Sequence, residues 1–443
     1  MSRLLDTEVR YFDRGTYNIP QFANAWGSIV SFLNTTLVDG TEDQGILSIT
    51  TTEDYEYPSE YWLATVYLNL GHGFKENLSV VEIKGCSEPE YNKIFRVQSV
   101  TERSITVVFK KSDYEEKPKD VFFVENTFIN QPSLGFKRIF SEPEKVVYRT
   151  ITKDEKVCYL RVDNSCPPGH DPTHAKFARV SMFEDMKNID DYHYDRNRKK
   201  CPNYRGAEDR VEESVYQVWF SSRYSSYFIN SRTPPDTASN DHVHLIGDAS
   251  TFYLYIKNIW TWSGGKDEVY CFGEYKKYCY KEDPLPFILR CSKAEAVNSN
   301  VFIERSRYGA ITRDRDWCNN TFSTEPENML YSNNSNSFAL LLNDTYLSGL
   351  DTRVSFKPYQ NELPFNTSFL DLRFFRPENT VLEGRYRGLK VILNNLLDTS
   401  FLQPRELQAF RKDNSYYLFS RMRDYNSSEQ KLLFNLNDWS KEL

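Results

Sequence analysis

No stretch of this chain approaches the ~18 uninterrupted apolar residues that a membrane-crossing helix requires. Met1 to Arg10 also lacks the apolar centre of a secretory leader, so the sequence predicts neither membrane insertion nor export through a standard signal. Cysteine is sparse: eight in 443 residues, at 86, 158, 166, 201, 271, 279, 291 and 318. That spread excludes a disulfide scaffold and predicts reduced thiols packing as small hydrophobes. A basic surplus is missing too. The formal charge is −7, whereas duplex binders neutralise phosphates with Lys and Arg, so nucleic acid is not an expected partner. The densest basic stretch, Arg196 to Lys200 with Arg205, follows Glu184, Asp185, Asp190 and Asp191 and reads as a solvated loop.

Catalytic signatures are equally scarce. The chain has no G-x-x-x-x-G-K-[ST], no G-x-G-x-x-G opening a helix and no G-x-S-x-G elbow. Gly71-His72-Gly73 lies between predicted strands and reads as a turn. Glycoside hydrolysis needs two facing carboxylates, and no spacing among the 62 acidic residues singles out such a pair. Cys166, His170 and His174 have a C-x3-H-x3-H spacing, with His193 and Cys201 downstream. Zinc would need four such ligands converging tetrahedrally. Pro167, Pro168, Gly169 and Pro172 oppose the helix that would align them, so chance clustering in a loop is the expectation. His242 and His244 would share one side of a strand, but no third ligand matches them. The sequence therefore predicts no catalytic residue, no cofactor and no metal.

What the chain does have is aromatic residues, 30 Tyr and 30 Phe, which suit half-buried sheets and partly wet contact surfaces. Trp260 and Trp262, beside Gly264-Gly265, are the candidates for an interface or for stacking on carbohydrate. The expected fold is mainly β with a few helices. An amphipathic helix is predicted over 18–38, from the stripe Ile19, Phe22, Trp26, Ile29, Leu33 and Leu37. Pro20 suits its first turn and Asp39-Gly40 its stop. From about 46 to 110 the period changes to two, with Trp62, Ala64, Val66, Leu68 and Leu70 facing one way, and a small barrel or sandwich is expected. Further strands are predicted at 145–150, 157–162, 216–220, 243–246, 251–256 and 268–272, with a tight turn at Gly247-Asp248. Asn319 to Ser337, dense in Asn and Ser, reads as a mobile or partner-ordered loop, and a helix-like segment is predicted near Pro404 to Phe410. The implied division is an arm and helix (1–40), a small β-domain (41–128), a larger β-rich domain (129–300) and a mixed region (301–443).

Several segments, taken in order, resemble a family of structural proteins encoded among the tail and baseplate genes of tailed bacteriophages. They are Ala25 to Asn34 ending at Leu37-Val38-Asp39-Gly40, then Gly71-His72-Gly73-Phe74 with Val81 to Gly85, then Tyr91 to Val97 and Ser104 to Phe109. Gly135 to Phe140, Val147-Tyr148-Arg149 and Tyr159 to Asp163 follow. Leu245-Ile246-Gly247-Asp248, Cys271-Phe272-Gly273-Glu274 and Arg385-Tyr386-Arg387-Gly388-Leu389 complete the set, which spans about residues 20–390. Lys93 stands where such turns tend to carry glycine, and Glu274 where aspartate is usual. The resemblance implies a non-enzymatic virion part, made in the host cytoplasm and built into the tail. Its partners would be neighbouring tail or baseplate proteins and copies of itself. The alternative expectation is a module at the virion surface that binds a host receptor or carbohydrate.

Overall fold

The computed structural model describes residues 3–21, 25–122, 125–151, 157–166, 172–173, 175, 177–183, 186–191, 217–220, 243–256, 268–277, 287–291, 369–376, 381–392, 407, 409–412, 415–423 and 429–441. These form four groups of hydrogen-bonded strands, with one short α-helix among the described residues. None of the described helices is long and apolar enough to cross a membrane.

The first sheet closes on itself. Gln44–Glu53 pairs with Tyr61–Leu68, and that strand with Ser104–Lys110. On its other side Gln44–Glu53 meets Phe128–Asn130, which leads through Val80–Lys84 to Ile94–Arg96. Residues 94–100 then cross from one edge to the other: Val97 N–H donates to Ser79 O, Gln98 N–H to Thr106 O, and Ser99–Val100 pairs with Ser104–Lys110. The result is a small barrel. Its filling is what period-two alternation demands, with Ile49, Ala64, Val66, Leu68, Val81, Ile83, Ile105 and Val107 all buried. Leu70 departs from the expectation. The strand ends at Leu68, and Leu70 is 55% exposed beyond it.

The second and third sheets stack. An antiparallel meander runs through Lys137–Glu142, Lys145–Ile151, Val157–Asp163, Phe177–Phe183 and Gln217–Phe220. The other sheet orders Arg10–Asp13, Val243–Gly247, Thr251–Ile256, Glu268–Glu274 and Phe287–Cys291. Every residue of Thr251–Ile256 is buried. Alternation sends Phe252, Leu254 and Ile256 into a core shared with the meander's Val146, Leu160, Val162 and Val180. It sends Tyr253 and Tyr255 the opposite way, into a core shared with Leu389, Leu418, Leu432 and Phe434 of the fourth sheet. The sheet is thus a central layer covered on both faces. That explains why its strands read as continuous apolar runs rather than polar–apolar alternation.

The helix is shorter than its stripe suggests. Regular α-helix covers Ser28–Leu33 and continues as a π-helix over Asn34–Asp39 before Gly40 stops it. Residues 18–21 and 25–27 are not helical, because the chain enters the helix through Gly27 at φ 84°. The helix start is fixed from far away: Gly27 N–H donates to Asn164 O and Ile29 N–H to Asn164 Oδ1. Such a cap cannot be read locally. Ile29, Val30, Phe32, Leu33 and Leu37 still bury against the meander core.

The fourth sheet contains Lys276–Lys277, Phe369–Arg376, Val381–Ile392, Ala409–Lys412, Ser415–Arg423 and Glu429–Asn435. It corrects the helix expected near Pro404 to Phe410. Leu407 lies at φ 58°, and Ala409–Lys412 is a strand paired with residues 415–418. Pairing with the aromatic strand Ser415–Arg423 overrides the local helical spacing.

Candidate functional site

Three of the short segments noted above are far apart in sequence and meet in one buried cluster. The first, Leu245 to Asp248, ends a central strand and turns back. Asp248 Oδ1 accepts from Ser250 N–H and Thr251 N–H, each at 2.9 Å, and from Ser250 Oγ at 3.0 Å. This is the side-chain-closed turn that Asp favours. The second segment brings Glu274, and the third, from the fourth sheet, brings Arg387. Arg387 Nη2 lies 2.9 Å from Asp248 Oδ2 and Nη1 lies 3.1 Å from Glu274 Oε2. Ser250 Oγ also accepts from Nη1, and Tyr253 Oη donates to Arg387 O at 2.7 Å. Next in sequence, Gly388 sits at φ 66°, where any Cβ would overlap the Trp439 indole. Asp248 spends both oxygens on protein donors, so the cluster ties the central sheet to the fourth sheet.

A second ionic cluster anchors the meander's outer face. Arg179 Nη2 lies 2.9 Å from Asp163 Oδ1, and Arg161 Nη2 lies 3.2 Å from both Asp163 Oδ2 and Asp190 Oδ1. Burial alone would raise the Asp163 carboxyl, but Arg179, Ser165 and Arg161 together hold it below its ordinary range. Cys166 follows three residues later, half-buried. His170 and His174 lie outside the described residues, as do His193, Cys201, His242, Trp260 and Trp262. Among the described residues no group of three or more His, Cys, Asp or Glu could hold a metal. His244 is buried between the rings of Tyr255, at 4.5 Å, and Tyr11, at 5.7 Å. His72 is also buried: its Nδ1 accepts Phe74 N–H at 2.9 Å while Nε2 faces Thr101 O at 2.9 Å. Those partners fit the neutral ring, and burial lowers its pKa.

The barrel carries the feature that sequence reasoning missed. Of the large apolar residues that stay exposed among the described residues, five border the first half of strand Gln44–Glu53. They are Leu47, Tyr67, Leu70, Phe122 and Phe128, the most exposed being Phe122 at 58%. Strand pairing puts them there. Phe122 and Tyr67 flank Ser48 on its two sides, and Phe128 stands opposite Gly45. Leu47 occupies the register shift between Ile46 and Ser48, and Leu70 O accepts from Gln44 Nε2. The bulge turns Leu47 outward beside a buried Ile46. Two adjacent apolar residues in an alternating strand were the only local signal. Apolar side chains gathered on one wall are the usual mark of a contact surface.

No protein-family model matches this chain, and no curated protein and no solved structure matches it either.

Proposed function

We propose that this protein is a structural component of a tailed-phage tail or baseplate, acting by subunit–subunit assembly rather than by catalysis. The apolar wall formed by Leu47, Tyr67, Leu70, Phe122 and Phe128 on the barrel carries the reading. Such a wall gains free energy when a neighbour covers it, at about 25 cal/mol per Å2 of apolar surface removed from water. The collinear likeness to tail and baseplate proteins supports the same reading.

The test is incorporation. Leu47→Asp with Phe122→Asp places two charges on the wall without touching the barrel's filling. The doubly substituted chain should fold, show an unchanged circular dichroism spectrum and fail to enter particles when it replaces the natural chain. Normal incorporation of that folded variant would overturn the reading.

A further inference from the structure

Residues 3–9 form no strand or helix, yet they are fixed at both ends of a three-way junction. Arg3 Nε and Nη2 donate to the two oxygens of Asp54, at 2.8 and 2.9 Å, on the barrel. Gln98 Nε2, also from the barrel, donates to Leu4 O at 2.7 Å. On the other side Asp438 N–H donates to Asp6 Oδ2 at 2.9 Å. Between these ties sits Arg96, almost fully buried. Its guanidinium donates to four backbone carbonyls: Asp6 O at 2.8 Å, Val9 O at 2.6 Å, Leu78 O at 2.8 Å and Leu436 O at 3.3 Å. Two of those acceptors belong to residues 3–9, one to the barrel side and one to the end of the fourth sheet.

The cation is thus solvated by dipoles from three segments rather than by a bonded carboxylate. Burial pushes its pKa down to about 10, with the Asp6 charge opposing that shift. A charge held in this way needs every acceptor, because losing some exposes the rest to an under-solvated cation. Apolar packing follows the same division. Leu4 and Val9 share a core with Leu78, Leu432, Phe434, Leu436 and Trp439, whereas the barrel's filling draws on neither segment.

We propose that residues 3–9 act as a strap, clamped by Arg96, that couples the barrel to the fourth sheet. Withdrawing the strap loosens Glu429–Asn435 and the residues after it while the barrel stays folded. The coupling is independent of the proposed phage function. It is also reciprocal, since linkage makes the effect of one segment on the other equal in both directions.

Hydrogen exchange of the full-length chain, read by mass spectrometry, tests this with two variants placed on opposite sides of the clamp. Arg3→Ala removes one of the strap's ties to the barrel, the pair with Asp54, and leaves those from Gln98 and Arg96 in place. Asn437→Ala removes the acceptor of Tyr416 N–H, 2.8 Å away, inside the fourth sheet. Arg3→Ala should accelerate exchange at residues 432–436 by about fivefold or more. Asn437→Ala should accelerate residues 9–11 by a comparable factor. Residues 105–109 of the barrel should be unchanged in both. Local acceleration without effect across the junction would overturn the proposal, as would equal acceleration in the barrel.

Discussion

Arg387→Met keeps most of the side-chain stem and removes the charge that joins the central sheet to the fourth. Asp248 then loses its Oδ2 partner at 2.9 Å while 8% exposed, so water can replace that partner only poorly. Glu274 loses a partner at 3.1 Å but is 23% exposed and can rehydrate. Breaking a buried pair costs about 3–5 kcal/mol. Asp248 keeps its turn donors on Oδ1, which places this case near the lower end, about 3 kcal/mol. The assay is native-state hydrogen exchange at Tyr253 and Leu254, which lie in the layer that the cluster ties down. A loss of about 3 kcal/mol appears as roughly 150-fold faster exchange there. Adding Asp248→Asn removes the uncompensated charge and should recover at least half of the loss. Acceleration of less than about fivefold, or no recovery in the double variant, would refute the argument that the cluster is a buried electrostatic tie.

Other consequences are local. Gly388→Ala at φ 66° would drive a methyl group into the Trp439 indole, so the thermal midpoint should fall, at a cost of about 2–4 kcal/mol. Tyr253→Phe removes only the donor to Arg387 O, and denaturation should show a loss of about 1 kcal/mol. His72 has a lowered pKa, so the folded barrel resists protonation while the unfolded chain takes up a proton below about pH 6.5. Barrel stability should therefore be level above about pH 6.5 and fall as pH drops towards the folded-state pKa. His72→Gln should flatten that part of the profile, measured by urea midpoints across the range. In the meander, the Asp163 carboxyl is held low, so its contribution there is lost only as pH falls through the carboxylate range.

How much of this was legible depended on whether the cause was local. The barrel strands were, because Trp62, Ala64, Val66 and Leu68 alternate and one face is buried. Thr251–Ile256 was legible as a strand; its role as a central layer shows only when Tyr253 and Tyr255 find a second core. The helix is shorter than its apolar stripe because its start is set by Asn164, 135 residues from Ile29. Lys93 stood out against the resemblance as a residue where glycine is usual. Its ammonium donates to the Tyr114 hydroxyl and lies 5.3 Å from the centre of the Phe109 ring, a long-range arrangement that no turn rule anticipates. The segments around Asp248, Glu274 and Arg387 were visible as separate turns. Their convergence depends on pairing between Asp248 and a residue 139 positions away. The apolar wall is not legible for a related reason: it is assembled from three neighbouring strands and one bulge, and only Leu47 beside Ile46 breaks the local pattern.

Oxidative footprinting of the barrel wall, in the isolated chain and in intact particles containing it, decides whether this is an assembly protein. Tyr67 at 42% and Phe122 at 58% exposure are readily modified side chains on that wall, and Tyr55, at 81% and away from it, is the internal reference. If the wall is a subunit contact, Tyr67 and Phe122 react in the free chain and become protected in the particle. Equal labelling of both residues in the two states, or particles lacking the chain, would contradict it.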